Sequence, residues 1–76
     1  MTIENFISDF SEQFESTDKS EFTKDTYFKD LTEWSSLVAL LELAMIEENY
    51  GVQVSAEEMR NSKTIQDLYT IIQSKQ

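Results

Sequence analysis

A pair of serines stands directly before the most apolar stretch of this chain, where a side-chain hydroxyl can be modified. Ser35 and Ser36 precede the run Leu37–Tyr50, which is rich in leucine and alanine. Either serine can cap a helix that begins here and still keep its hydroxyl at the surface. The helix dipole and the free backbone N–H groups at that end favour a negative group. The chemistry that these residue types permit is therefore the attachment of a phosphate-linked group to a serine.

The charge pattern around the serines restricts the partners and the reactions. No lysine, arginine or histidine occurs between Lys29 and Arg60, and the whole chain has a net charge of −9. We therefore expect a purely acidic neighbourhood, which repels nucleic acid and suits basic partner proteins. Cysteine and histidine are absent, which excludes disulfides, thiolate nucleophiles, serine–histidine catalysis and the commonest metal ligands. We therefore expect none of these reactions and no metal site.

The helix that follows the serines carries more apolar surface than one small core can cover. At about 100° per residue, two apolar stripes result. The first, which we expect to face inward, comprises Ala39, Leu40, Leu43, Ile46 and Tyr50. The second comprises Leu37, Val38, Leu41, Ala44 and Met45. A chain of this length has too few neighbouring residues to bury both, so the second stripe, rimmed by Glu42, Glu47 and Glu48, is expected to be a docking surface. A homodimer interface or a tightly wrapped helix is the alternative.

The first half of the chain predicts one helix and a long loop. Apolar residues at spacings of three and four predict a helix from about Thr2 to Glu15, which Thr2 can cap. Serine, threonine and paired charges dominate from Ser16 to Trp34, where we expect a loop held to the core by aromatic side chains. One short helical turn is expected near Asp25–Phe28. Loops of this size in small domains tend to be functional.

The second half of the chain predicts three helices and completes the fold class. The central helix should run over Ser36–Tyr50 and end at Gly51, the only glycine. A capping box at Ser55 to Glu58 predicts a short helix, and a related cap at Thr64 predicts the last helix. The expected fold is an all-α, small antiparallel bundle of three main helices plus one short helix with a long first loop, in a single domain over residues 1–76. No signal peptide or membrane-spanning segment is visible, so we expect a cytoplasmic protein without membrane insertion.

The order of these elements resembles that of an acyl carrier protein across essentially the whole chain. That family carries Asp-Ser-Leu at the start of its second helix, and Ser36 followed by Leu37 occupies that position. The companion positions that also match are Phe28 and Leu31 before the serine, Glu47 and Glu48, Tyr50 and Gly51 at fourteen and fifteen residues after it, and Thr64-Ile65-Gln66-Asp67 at the last helix. Length and acidity agree as well.

The resemblance implies that Ser36 carries a covalent 4′-phosphopantetheine arm, which a phosphopantetheinyl transferase attaches from coenzyme A. The thiol of the arm would hold acyl intermediates as thioesters. The protein would present them to acyl-transferring or condensing enzymes with basic docking surfaces, in fatty acid synthesis or a specialised acyl or polyketide-type pathway. We expect a monomer. The expected docking residues are Leu37, Leu41, Met45, Glu42, Glu47, Glu48, Glu57 and Glu58. The expected walls of an interhelical acyl pocket are Leu43, Ile46, Met59, Leu68 and Tyr69.

Three positions depart from the family pattern and leave alternatives open. Ser35 stands where the family has aspartate, which removes a negative charge beside the modified serine. Val38 and Leu41 stand where the family often has acidic residues, so docking would depend more on apolar contact. The first departure favours an unmodified carrier-like interaction module. An acidic decoy for a nucleic-acid-binding surface is a further alternative, which net charge supports and the apolar stripe opposes.

Overall fold

Four α-helices and no β-strand make up the computed structural model, which describes residues 1–76. The helices are α1 (Ile3–Ser11), α2 (Ser36–Tyr50), α3 (Ala56–Asn61) and α4 (Ile65–Ser74). The predicted fold class, a small all-α antiparallel bundle of three main helices and one short helix with a long first loop, is confirmed. None of the helices combines the length and the apolar character that crossing a bilayer requires.

The ends of α2 are set by one serine and one glycine. Ser35 has an extended backbone, and its hydroxyl oxygen accepts a hydrogen bond of 3.2 Å from the N–H group of Val38. Gly51 adopts a left-handed conformation with φ of 69°, and its N–H group donates to the Glu47 carbonyl oxygen. Glycine adopts this conformation without the strain that a Cβ atom brings. The predicted bounds of the central helix are therefore confirmed.

The short helix and the last helix each begin with the predicted cap. At α3, the Ser55 hydroxyl accepts from the Glu58 N–H group while the Glu58 carboxylate accepts from the Ser55 N–H group. Thr64 and Asp67 make the same pair of bonds at α4. Each box satisfies two backbone donors that a helix start would otherwise leave unpaired.

The first helix is shorter than predicted. It ends at Ser11 rather than near Glu15. The N–H groups of Gln13 and Phe14 donate to carbonyl oxygens three positions back, which is a tighter turn than that of an α-helix, and the N–H groups that follow donate to a side chain. The Glu33 carboxylate accepts hydrogen bonds from the N–H groups of Glu15, Ser16 and Thr17, at 2.6 to 3.0 Å. It also accepts from the Thr17 hydroxyl at 2.7 Å. The hydrogen bond from the Thr17 hydroxyl, followed by those from the backbone N–H groups, lowers the pKa of Glu33. One carboxylate thus fixes the turn out of α1.

Aromatic side chains hold the long loop against the bundle, as expected. Phe10 of α1 lies at the centre, with its ring 5.3 Å from that of Phe28 and 6.3 Å from that of Phe22. Trp34 packs against Phe28 at 5.0 Å, just before α2 begins. The loop holds two single-turn 3₁₀ helices, at Lys19–Glu21 and Phe28–Asp30, so the turn expected at residues 25–28 lies later in the chain. Trp34 therefore packs against the core directly before the exposed serine pair.

Two further contacts join distant parts of the chain. The N–H groups of Ile65 and Gln66 at the start of α4 donate to carbonyl oxygens in the loop. The Tyr50 hydroxyl at the end of α2 donates to the Asp9 carboxylate of α1 at 2.6 Å. Burial and this bond raise the pKa of the Tyr50 hydroxyl. These bonds join the loop to α4 and the end of α2 to α1.

Candidate functional site

The hydroxyl of Ser36 is free and lies at the surface. Ser35 supplies the capping oxygen of α2, so Ser36 is the first helical residue and has no capping role. Ser36 and its neighbour Leu37 are both exposed, and Leu37 has 65% of its surface accessible. The first turn of α2 contains no acidic residue. A negative group on Ser36 would therefore meet the positive end of the helix dipole and no carboxylate from the same turn.

A groove with a volume of about 490 Å³ begins at the serine pair and runs between α2 and α3. Both serines and Trp34 form the end nearest the loop. The helices contribute mainly apolar side chains, namely Ala39, Leu40 and Leu43 from α2 and Ala56 and Met59 from α3. A hydroxyl at one end and apolar walls along the length suit a ligand with a polar head and an apolar tail.

Two basic residues complete the lining of this groove. Lys29 lies in the second 3₁₀ helix and Arg60 near the end of α3, and both line the same groove as Ser36. The Lys29 ammonium group donates a hydrogen bond to the Arg60 carbonyl oxygen. The expectation of a purely acidic neighbourhood is therefore wrong. Lys29 and Arg60 flank the stretch of sequence that has no basic residue, and the fold brings them together in the groove of Ser36.

Only part of the predicted acyl pocket lines the groove. Leu43 and Met59 do so. The other three predicted wall residues, Ile46, Leu68 and Tyr69, are core residues with at most 6% of their surface accessible. They pack among the helices and do not line the groove. Leu40, which the sequence assigns to the inward stripe, is instead 64% accessible at the edge of the groove.

The face of α2 that points outward carries four apolar side chains, which we name the outer stripe. It comprises Leu37, Leu40, Leu41 and Ala44. These residues follow the spacing of three and four that places side chains on one face of a helix. Leu37, Leu41 and Ala44 were predicted here, whereas Val38 and Met45 of the same predicted stripe are buried. The stripe is thus rotated relative to the predicted one, and Met45 is wrong as a docking residue.

Glu42 is also wrong as a docking residue, because it lies in the core. It is on the inward face of α2 with Val38, Met45 and Ile46, and none of its surface is accessible. Neither of its carboxyl oxygens has a hydrogen bond partner in the protein. Loss of water without compensation raises the pKa of Glu42 to about 10. The side chain is therefore neutral and protonated at pH 7.

The remaining acidic residues of the predicted docking set lie at the surface. Three of them are exposed, namely Glu47, Glu48 and Glu57. Glu58 is half-buried. Its carboxylate caps α3 and forms an ion pair of 3.2 Å with Lys75 of the C-terminal segment. The hydrogen bond from the backbone of Ser55, followed by that from Lys75, lowers the pKa of Glu58. Glu47 and Glu48 remain the acidic neighbours of the outer stripe.

Sequence reasoning missed Lys29, Arg60 and Glu33. The sequence alone gives no role to the paired charges of the loop or to Arg60. No local signal could have joined Lys29 to Arg60, which are 31 positions apart. Glu33 likewise binds backbone groups 16 to 18 positions away. Contacts of this kind require the tertiary arrangement of the helices.

Comparisons with protein-family models, with curated proteins and with solved structures gave no match for this chain.

Proposed function

We propose that this protein is an acyl carrier whose Ser36 hydroxyl accepts a 4′-phosphopantetheine arm. The observation that carries the proposal is that one serine caps the helix and the other has a free hydroxyl. Ser35 caps α2, which leaves the exposed Ser36 hydroxyl available at one end of an apolar groove. The sequence resemblance adds the order of the elements and the Ser36-Leu37 pair.

The residues around Ser36 fit such an arm. During attachment, the Ser36 oxygen would form a P–O bond and give its proton to the transferase, while the diphosphate bond of coenzyme A breaks and the nucleotide portion leaves. The attached group supplies a terminal thiol, which holds an acyl cargo as a thioester. Leu43 and Met59 would contact an apolar cargo in the groove, because they line it. The acyl-pocket role of Ile46, Leu68 and Tyr69 would require the helices to separate.

The outer stripe is the proposed docking surface for partner enzymes. Its leucines are exposed in a protein with 76 residues, and isolated monomers seldom leave adjoining apolar side chains uncovered without a binding role. Glu47 and Glu48 flank it and suit a partner with a basic surface. The partners we propose are a phosphopantetheinyl transferase and acyl-transferring or condensing enzymes of fatty acid synthesis or a specialised pathway. We propose a cytoplasmic, monomeric protein that catalyses no reaction itself.

An unmodified interaction module is the second candidate, and Ser35 in place of the family's aspartate favours it. Intact-mass measurement separates the two. Incubation with coenzyme A and a phosphopantetheinyl transferase should add one arm to the wild type and one arm to Ser35→Ala. It should add none to Ser36→Ala. If the wild-type mass stays unchanged with transferases of broad substrate range, the module interpretation replaces the carrier interpretation.

A further inference from the structure

The two basic residues of the groove have no anionic partner within the protein. The chain contains 15 acidic and 6 basic residues, so carboxylates are in excess. Even so, its ion pairs are Lys24 with Asp25 and Lys75 with Glu58. Lys29 and Arg60 are in neither pair. An unpaired cation is ordinary at a protein surface, but here two of them line one groove together with a serine hydroxyl.

Their hydrogen-bonding capacity is largely unused. A lysine ammonium group has three donors, and an arginine guanidinium group has five. Lys29 uses one donor for the Arg60 carbonyl oxygen, and this bond holds the 3₁₀ helix of Lys29 against the end of α3. The Lys29 ammonium group is thereby held beside the end of α3, where Arg60 also lines the groove. Such an arrangement suits an anion that enters between them, because guanidinium and ammonium donors bind phosphate oxygens strongly.

We infer that Lys29 and Arg60 bind the phosphodiester of the arm on Ser36, so that the arm lies in the groove instead of moving freely in solvent. This inference rests on the proposed function and concerns residues to which the resemblance assigns no role. The phosphodiester carries a negative charge, is attached to a groove residue, and is present whatever the cargo. The apolar walls beyond the basic pair, Leu40 and Leu43, then receive the rest of the arm or the first carbons of an acyl chain.

The experiment compares the thermal stability of the protein with and without the arm. The arm with a free thiol and no cargo is used, so that the phosphodiester is the only anion added. In the wild type, we expect attachment to raise the melting temperature by about 2–5 °C, from the usual size of exposed charge contacts and the unfolding entropy of a small domain. In Lys29→Gln/Arg60→Gln, attachment should leave the melting temperature unchanged or lower it, because the added charge is negative.

A matched control removes the same number of positive charges away from the groove. Lys24→Gln/Lys63→Gln does so, since neither residue lines the groove, and it should keep the wild-type rise. The ³¹P resonance of the phosphodiester gives a second measurement. It should be broader and shifted in the wild type and in the control, and it should resemble that of free phosphopantetheine in Lys29→Gln/Arg60→Gln.

The outcomes separate this inference from the proposed function. If mass measurement shows no arm on the wild type, the carrier function fails and this inference fails with it. If the arm is attached but the rise in melting temperature and the ³¹P resonance are the same in all three proteins, the function stands and the inference is overturned. The absence of any rise in the wild type, with the arm attached and a ³¹P resonance like that of the free group, would overturn it equally.

Discussion

The buried carboxyl group of Glu42 should make the stability of this protein depend on pH in the neutral range. Burial raises its pKa from 4.5 to about 10. In the unfolded chain the group ionises near the ordinary value of 4.5, so between these two values the folded state holds a proton that the unfolded state has released. The stability that depends on the protonated Glu42 is therefore fully present below pH 4.5, and it is lost as pH rises towards the folded-state pKa of about 10.

The size of the effect follows from the proton difference. One proton held only by the folded state changes the free energy of unfolding by about 1.4 kcal/mol per pH unit at 25 °C. From pH 6 to pH 8, the wild type should lose about 3 kcal/mol through this group. That is a large part of the roughly 5–15 kcal/mol that stabilises an ordinary domain. The chain has no histidine or cysteine that would titrate in the same range.

Glu42→Gln isolates this effect, because glutamine has the same size and does not ionise. Denaturant unfolding of both proteins at pH 6 and pH 8 gives the free energies of unfolding. The stability of the variant relative to the wild type should increase by about 3 kcal/mol over that interval. Glu47→Gln is the control, since Glu47 is on the exposed face of the same helix, and its pH dependence should parallel that of the wild type. If Glu42→Gln also parallels the wild type, the carboxyl group is not protonated in the folded state and the reasoning is refuted.

Five other substitutions test the fold and the docking surface. Glu33→Gln should lower the melting temperature at neutral pH, and its difference from the wild type should shrink in acid. The hydrogen bonds that lower the pKa of Glu33 stabilise the folded state while the carboxylate is ionised. That stability is lost as pH falls below 4.5 through the pKa of the folded state. Ser35→Ala should cost about 1 kcal/mol in denaturant unfolding through the lost cap. Gly51→Ala should lower the free energy of unfolding by about 1 kcal/mol, since φ is 69° there. An unchanged denaturation midpoint would contradict the strain expected from an alanine at this position. Leu37→Asp and Leu41→Asp should change stability by less than about 0.5 kcal/mol but raise the KM of a modifying transferase; an unchanged KM would exclude the outer stripe from that contact.

Local signals predicted most elements of this fold, because most of the helix ends depend on residues near them in the chain. The bounds of α2 follow from Ser35 and Gly51, and the starts of α3 and α4 follow from the capping boxes at Ser55 and Thr64. The end of α1 could not be predicted in the same way. It depends on Glu33, which lies in the loop and reaches back to the turn after the helix.

The rotation of α2 about its axis was beyond sequence reasoning. Apolar residues occur on nearly every side of this helix, so their periodicity does not select the inward face. The position of Glu42 adds a contrary signal, because a carboxylate normally faces water, and here it lies in the core. The result is an exposed Leu40 and a buried Met45, the reverse of the prediction. The proximity of Lys29 and Arg60 could not be predicted either, because only the tertiary structure brings them together.

The most direct test of the carrier function is to locate the modification on the chain. After treatment with coenzyme A and a transferase, tandem mass spectrometry of the peptide that contains Ser35 and Ser36 should place one phosphopantetheinyl group on Ser36, with Ser35 unmodified. A group on Ser35 would contradict the assignment of Ser35 as the capping residue and Ser36 as the modified one. A peptide that remains unmodified would contradict the carrier function itself.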